Sequence, residues 1–171
     1  EMIITLAIIS ILSAIAVPYT LDWRSQRAMN VVSISVMTEL LQAKMLSAQR
    51  NANVIVAFDL VNNMMKIYLD LDRDGIDEGD LNKTVSISSI DSGVRFGYNP
   101  GAGVDGSTIT RAAIMGNTSN PIRVTFMPDG RVSNYGTAYL IPTVDLGSRD
   151  NRQRAVDISV TGRISRWKYY E

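Results

Sequence analysis

Residues 1–22 read EMIITLAIISILSAIAVPYTLD, one acid followed by a long apolar run, and their reading decides the fold. The sixteen residues 2–17 carry no charge, Pro18 follows, and from there a more polar sequence keeps helical spacing to about Ala48. Physically this is one long helix that meets two solvents. Its first third is apolar on every side, which in a soluble domain means complete burial in a large core. A chain of 171 residues has little material for such a core around a terminal segment.

The run is not a signal peptide by pattern, because a basic region in front and a small-residue cleavage site behind are both missing. At about 1.5 Å per residue, residues 2–17 span roughly 24 Å against a hydrocarbon core of about 30 Å. A few residues ahead of Glu1 would complete the span, so the natural segment is expected to begin earlier. A carboxylate at Glu1 is costly in lipid unless it meets a positive partner or sits solvated among headgroups. Pro18 removes a helical hydrogen bond and clashes with the carbonyl four residues back, at about 3 kcal/mol. It marks either a break between an anchor and a soluble domain or a bend in one helix. Thr5, Ser10 and Ser13 are placed to take up freed backbone groups.

Beyond the proline, Ile34, Met37, Leu41, Met45 and Ala48, with Leu40 beside them, recur at three- and four-residue steps. They predict an amphipathic helix packed by one face on a globular head, with Ser35, Thr38, Glu39, Gln42 and Gln49 on the other side. The methionines read as core filler. Asn51-Ala52-Asn53 ends the helix, and β-branched residues take over.

Short strands are predicted over residues 54–60, 64–69, 84–90, 94–98, 109–115, 122–126, 138–141, 155–160 and 164–169. They are separated by turn residues such as Asn62-Asn63, Asp91-Ser92-Gly93 and Pro128-Asp129-Gly130. The fold class is α+β: a long N-terminal helix packed on an antiparallel β-sandwich or partly closed barrel. The division is residues 1–53 for the helix, of which 1–21 form the anchor and 22–53 the amphipathic half, and residues 54–171 for the head.

Seventeen basic and seventeen acidic side chains give no global charge. With no cysteine and no histidine, thiolate catalysis, disulfides and the commonest acid/base and metal-binding groups are excluded, and an enzyme is disfavoured. Local asymmetry is strong. Residues 70–80, DLDRDGIDEGD, hold six acids and one base and begin as an EF-hand loop does, with carboxylates at alternate positions and then a glycine. Asp70, Asp72 and Asp74 are candidate calcium ligands, Gly75 permits the bend, and the Ile76 carbonyl is a further ligand. Leu81 stands where an EF-hand has its bidentate glutamate, so Asp77, Glu78 or Asp80 must close the shell. The other reading is a solvated acidic loop. Neither implies catalysis.

A second asymmetry is basic: Arg149, Arg152, Arg154, Arg163, Arg166 and Lys168 stand against Asp150 and Asp157, with Trp167, Tyr169 and Tyr170 at the end. Basic and aromatic residues together hold nucleic acid by phosphate contacts and stacking, which makes Arg163, Arg166 and Lys168 candidate DNA contacts. The same residues also suit a solvated strand face or a neighbouring subunit's acidic loop, and this structural reading is preferred.

Glu1, the uncharged Ile/Leu/Ala/Ser run behind it and Pro18 resemble the N-terminal signature of type IV pilins and type II secretion pseudopilins. VTFMPDGRVS (residues 124–133) and AVDISVTGRISR (residues 155–166) resemble the globular half of H-type pseudopilins and related minor fimbrial pilins. The resemblance implies a filament subunit that is anchored in the bacterial inner membrane before assembly and is periplasmic or extracellular afterwards. It implies pairing of Glu1 with the N-terminal amine of a neighbouring subunit, and a helix that curves through Pro18. Implied partners are identical or related pilin subunits, an inner-membrane assembly platform and a prepilin peptidase. Some minor pilins of this kind bind DNA during uptake.

Overall fold

A computed structural model describes residues 2–76, 79–99, 113–115, 122–147 and 152–168. One helix, α1, runs Met2–Arg50 and passes position 18 without interruption, so of the two readings of Pro18 the break does not hold. The helix ends where Asn51 turns into the left-handed region (φ 51°), and the Ala52 amide donates to the Ser47 carbonyl at 3.2 Å. Asparagine tolerates that conformation better than most residues do.

The head begins with β1 (Asn53–Asp59), β2 (Met64–Asp70) and β3 (Leu81–Ser86), followed by a single helical turn α2 (Ile87–Ile90). Then come β4 (Val94–Phe96), β5 (Ala113–Met115), β6 (Ile122–Phe126), β7 (Val132–Ser133), β8 (Gly136–Pro142), β9 (Arg154–Ile158) and β10 (Ile164–Lys168). One sheet has the order β3-β2-β1-β6-β7 and the other β10-β9-β8-β4, with β5 also paired to β8. All pairings are antiparallel. β4 meets residues 140–142 of β8 and β5 meets residues 136–138, so the two short strands lie end to end along one edge. The sheets are separate, which removes the barrel alternative and leaves two sheets and a helix around one core.

That core joins Met29, Val32, Val36, Leu40 and Ala43 of α1 to Val54, Val56 and Phe58 of β1, Val124 and Phe126 of β6, and Ala138, Leu140, Val156 and Ile158 of β8 and β9. Phe58 meets Phe96 edge to face, ring centroids 5.7 Å apart, and so links the two sheets. The helical face in contact with the head is the expected one only at Leu40, which is buried, and Met37, which packs against the core. Met29, Val32, Ser33, Val36, Leu40, Ala43 and Ser47 are buried, while Ile34, Leu41, Met45 and Ala48 are exposed. The reason is close approach: Val, Ser and Ala at 32, 33, 36, 43 and 47 let the helix settle between the sheets, and Met29 and Leu40 fill the space on either side. A second difference is at residues 84–90, where the strand stops at Ser86 and α2 follows, so the Ser-Ser pair bends the chain instead of extending it. Residues 109–112 of the strand expected over 109–115 lie outside the described residues.

Candidate functional site

The long helix offers its surface in two parts. From Met2 to Leu12 every large apolar side chain is more than half exposed, as an anchor or a packing element requires. Farther on, Val31, Ile34, Leu41 and Met45 are exposed apolar residues. With Thr38 they follow steps of three and four, the spacing of a helix-to-helix seam. Each lies two residues before a buried position, about 200° round the helix, so the middle of this seam turns away from the head, while Val31 and Met45 at its ends border grooves shared with it. Glu1 lies outside the described residues, and its pairing with an amine is therefore an expectation only.

The acidic loop hangs between β2 and β3. β2 delivers Asp70 into a buried position, 3% exposed, where its carboxylate accepts from Asn53 Nδ2 at 3.4 Å and from the Gly75 amide at 3.5 Å. The chain then turns sharply: Arg73 has φ 68° and Gly75 has φ 119°. Nothing surrounds Gly75 closely, so only its backbone conformation favours glycine there. The return is fixed by the Leu69 amide donating to the Asp80 carbonyl at 2.9 Å. As a result one carboxylate oxygen each from Asp70, Asp72, Asp74 and Asp80 lies within 4.8 Å of the others. Such a set of hard oxygens suits a divalent cation of calcium type. Ile76 follows in the same loop, half buried, whereas Asp77 and Glu78 lie outside the described residues.

The basic residues do not form one patch. Arg152 donates through Nε to Asp145 Oδ2 at 2.7 Å and through Nη2 to Asp145 Oδ1, while its Nη1 donates to Asp22 on α1 at 2.8 Å. Asp145 is buried, so this fork closes the head onto the helix beside the end of the apolar run. Arg154 is only 2% exposed, and its Nη1 donates to the carbonyls of Arg152 and Gln153. Arg163, Arg166 and Lys168 remain exposed. On β10, Arg166 and Lys168 share one face and Trp167 takes the other, so bases and aromatic ring are not presented together. Arg149, Tyr169 and Tyr170 lie outside the described residues.

Two structural devices went unread in the sequence. Asn63, in the left-handed region at φ 54°, donates through Nδ2 to the Val94 carbonyl at 3.0 Å and accepts the Phe96 amide at 2.8 Å on Oδ1. Its own carbonyl accepts the Ile87 amide at 3.0 Å. One hairpin residue thus stitches both sheets together, although the sequence marks it only as a turn. Lys44 of α1 donates to the Gly162 carbonyl at 2.8 Å. Gly162 itself has φ 72°, and a Cβ there would stand 2.6 Å from the Gly130 carbonyl. Two turns therefore pack under one lysine, and a conspicuous glycine in each is the only signal for it.

A long helix with an exposed apolar third, laid across two antiparallel sheets, defines a pilin-like α+β subunit fold. No family model matches the chain, and no curated protein matches it in sequence. Among solved structures it is similar to the minor pseudopilin EpsH of the type II secretion system of Vibrio cholerae. One determination superposes with a TM-score of 0.54 at 11% identity, covering 81% of this chain and 95% of that one. A second gives a TM-score of 0.54 at 13% identity, covering 85% and 97%. At these identities the likeness concerns the fold, and the fold is the one that the resemblance of residues 1–22, 124–133 and 155–166 implies.

Proposed function

We propose that the chain is a structural subunit of a pseudopilus-like or pilus-like filament that assembles through α1. The observation that carries this reading is the division of the helix: one stripe buried in the head, a second apolar stripe over residues 31–45, and an apolar first third, the last two both exposed. Before assembly the first third is solvated by lipid. On assembly the anchors leave the bilayer and bury against one another, an exchange of one apolar surrounding for another that never exposes them to water. A head-to-tail contact that does not close then propagates as a filament. The likeness to EpsH, a subunit of a secretion system by its description, supports the same role. Four surface grooves among the described residues each hold a single acidic side chain, Asp59, Glu39 or Asp91, which favours a structural part over acid/base chemistry.

In this reading the cluster of Asp70, Asp72, Asp74 and Asp80 binds calcium and rigidifies the β2–β3 edge of the head, with Ile76 and Asp77 completing the shell. DNA uptake is the second reading. It rests on Arg163, Arg166 and Lys168 alone, because Arg152 and Arg154 are committed to contacts within the head. Glu1 pairing, processing by a prepilin peptidase and recruitment to an inner-membrane platform follow from the family resemblance. Electron microscopy of the chain produced with its assembly machinery is the test: fibres with this chain at repeating positions, or at a fixed end, are expected, and a membrane-bound monomer under all assembly conditions overturns the proposal.

A further inference from the structure

Because α1 passes Pro18 unbroken, the anchor is not bounded at Val17: the uncharged run extends to Leu21, and residues 2–21 are twenty in number. At about 1.5 Å per residue they measure about 30 Å, the thickness of a hydrocarbon core. The next residues on the helix therefore stand at headgroup level. There Thr20, Trp23, Arg24, Arg27, Ala28 and Val31 follow helical spacing along one wall of an open groove of about 550 Å³, and Asp91, from the turn after α2, forms the other wall. The Arg27 guanidinium lies 5.5 Å from the Trp23 ring centroid, and the ring is 59% exposed. Neither Arg24 nor Arg27 has an ion pair among the described residues. The Asp91 carboxylate accepts the Gly93 amide at 2.8 Å on one oxygen.

We propose that this groove holds the headgroup of a zwitterionic aminophospholipid, its phosphate on Arg24 and Arg27 and its ammonium on Asp91. The inference rests on the reading of residues 2–21 as a membrane anchor. The charge order argues for this occupant. Guanidinium forks match phosphate oxygens. Tryptophan favours the membrane interface. A carboxylate facing two arginines across a groove matches a head that carries both signs. The phosphate of any of these lipids is balanced by the two arginines, so the choice falls to Asp91: a primary ammonium gives it a charged hydrogen-bond partner, a glycerol head offers only a neutral hydroxyl, and a quaternary choline head has no N–H to donate there. Bound this way, the lipid fixes the α2–β4 turn of the head against the bilayer surface.

The test uses the full chain with W167F, which leaves Trp23 as the single tryptophan, in vesicles of phosphatidylcholine mixed with phosphatidylethanolamine or phosphatidylglycerol. Flotation and resistance to alkaline extraction report the anchor. Quenching of Trp23 by headgroup-labelled lipid, and lipid retained after detergent extraction by native mass spectrometry, report the groove. Expected are insertion in every mixture, preferential retention of phosphatidylethanolamine, and a loss of about tenfold or more on R24Q with R27Q, as the removal of charge-assisted hydrogen bonds implies. D91N abolishes the preference over phosphatidylcholine and leaves insertion unchanged. Equal retention of all three lipids, preference for phosphatidylglycerol, displacement by inorganic phosphate, or indifference to the arginine changes overturns the headgroup site while the anchor stands. Failure to float in any mixture overturns the anchor reading and the site with it.

Discussion

Asn63 ties the β1–β2 turn to β4 of the other sheet through one side chain. Asn63→Ala leaves the Phe96 amide and the Val94 carbonyl without their partner and puts alanine in a left-handed conformation that asparagine tolerates better. A loss of about 2–4 kcal/mol is expected in urea unfolding, since each stranded buried backbone group costs about 1–3 kcal/mol. Asn63→Asp keeps the acceptor for Phe96 and loses the donor to Val94, so it should fall between wild type and alanine. Equal stability of all three proteins would remove the residue from its assigned role. Four residues away, Asp59 shows the same chemistry on the surface: the Asn62 side-chain amide, and next its backbone N–H, hold the carboxyl below its ordinary value of 3.8. Because the folded value is depressed, its contribution is present above the ordinary value and fades as pH falls through the lower folded one. Asn62→Ala is expected to raise the Asp59 midpoint toward 3.8 in a carboxyl NMR titration and to shrink the pH dependence of stability in that acid window. The effect is small, because the group is solvated.

Among the elements, the acidic loop has the clearest consequence for an added ion. Four carboxylates within reach of one another repel until a cation neutralises them. Calcium binding to the folded state alone adds RT ln(1 + [Ca]/Kd), about 2.7 kcal/mol at a hundredfold excess over Kd. A raised unfolding temperature on calcium addition, reversed by chelator, is therefore expected. D72N with D74N, both exposed positions, should abolish that response and slightly stabilise the calcium-free protein by relieving repulsion. Calorimetry without heat at millimolar calcium, or a double variant that responds as wild type does, would refute the site. This loop was legible in sequence because its chemistry is local: alternation of carboxylates and one glycine suffice. The strands at Ile122–Phe126 and Ile164–Lys168 were legible for the same reason, through period-two patterning between strong turns. The buried face of α1 was not. The helix carries two apolar stripes, and periodicity cannot say which one meets the head. The choice falls to Ser33, Ala43 and Ser47, whose value lies in being small beside a partner that sequence does not display. Arg152 escaped for a related reason: charged side chains are seldom buried unless paired, and its partners Asp145 and Asp22 come together only in the folded chain.

At the scale of the whole molecule the proposed filament assigns the two helical stripes different tasks, one holding the chain together and one packing against its copies. The division is separable by substitution. Ile34→Asp with Leu41→Asp places two acids on the exposed stripe, 51% and 39% exposed in the single chain, where surface changes ordinarily shift stability by about 0.5 kcal/mol or less. Val36→Asp places one acid in the core, at a position with no exposure, where an unpaired buried charge unfolds the head. The seam variant should therefore melt as the wild type does and still reach the membrane, since residues 2–21 are untouched. It should nonetheless fail to form fibres, because two carboxylates per subunit would be buried at each helix-to-helix contact. The core variant should lose both folding and fibres, which separates an assembly defect from a folding one. Fibres of normal abundance and length from a well-folded seam variant would show that the stripe at 31–45 faces solvent in the filament, and would leave assembly to the apolar first third alone.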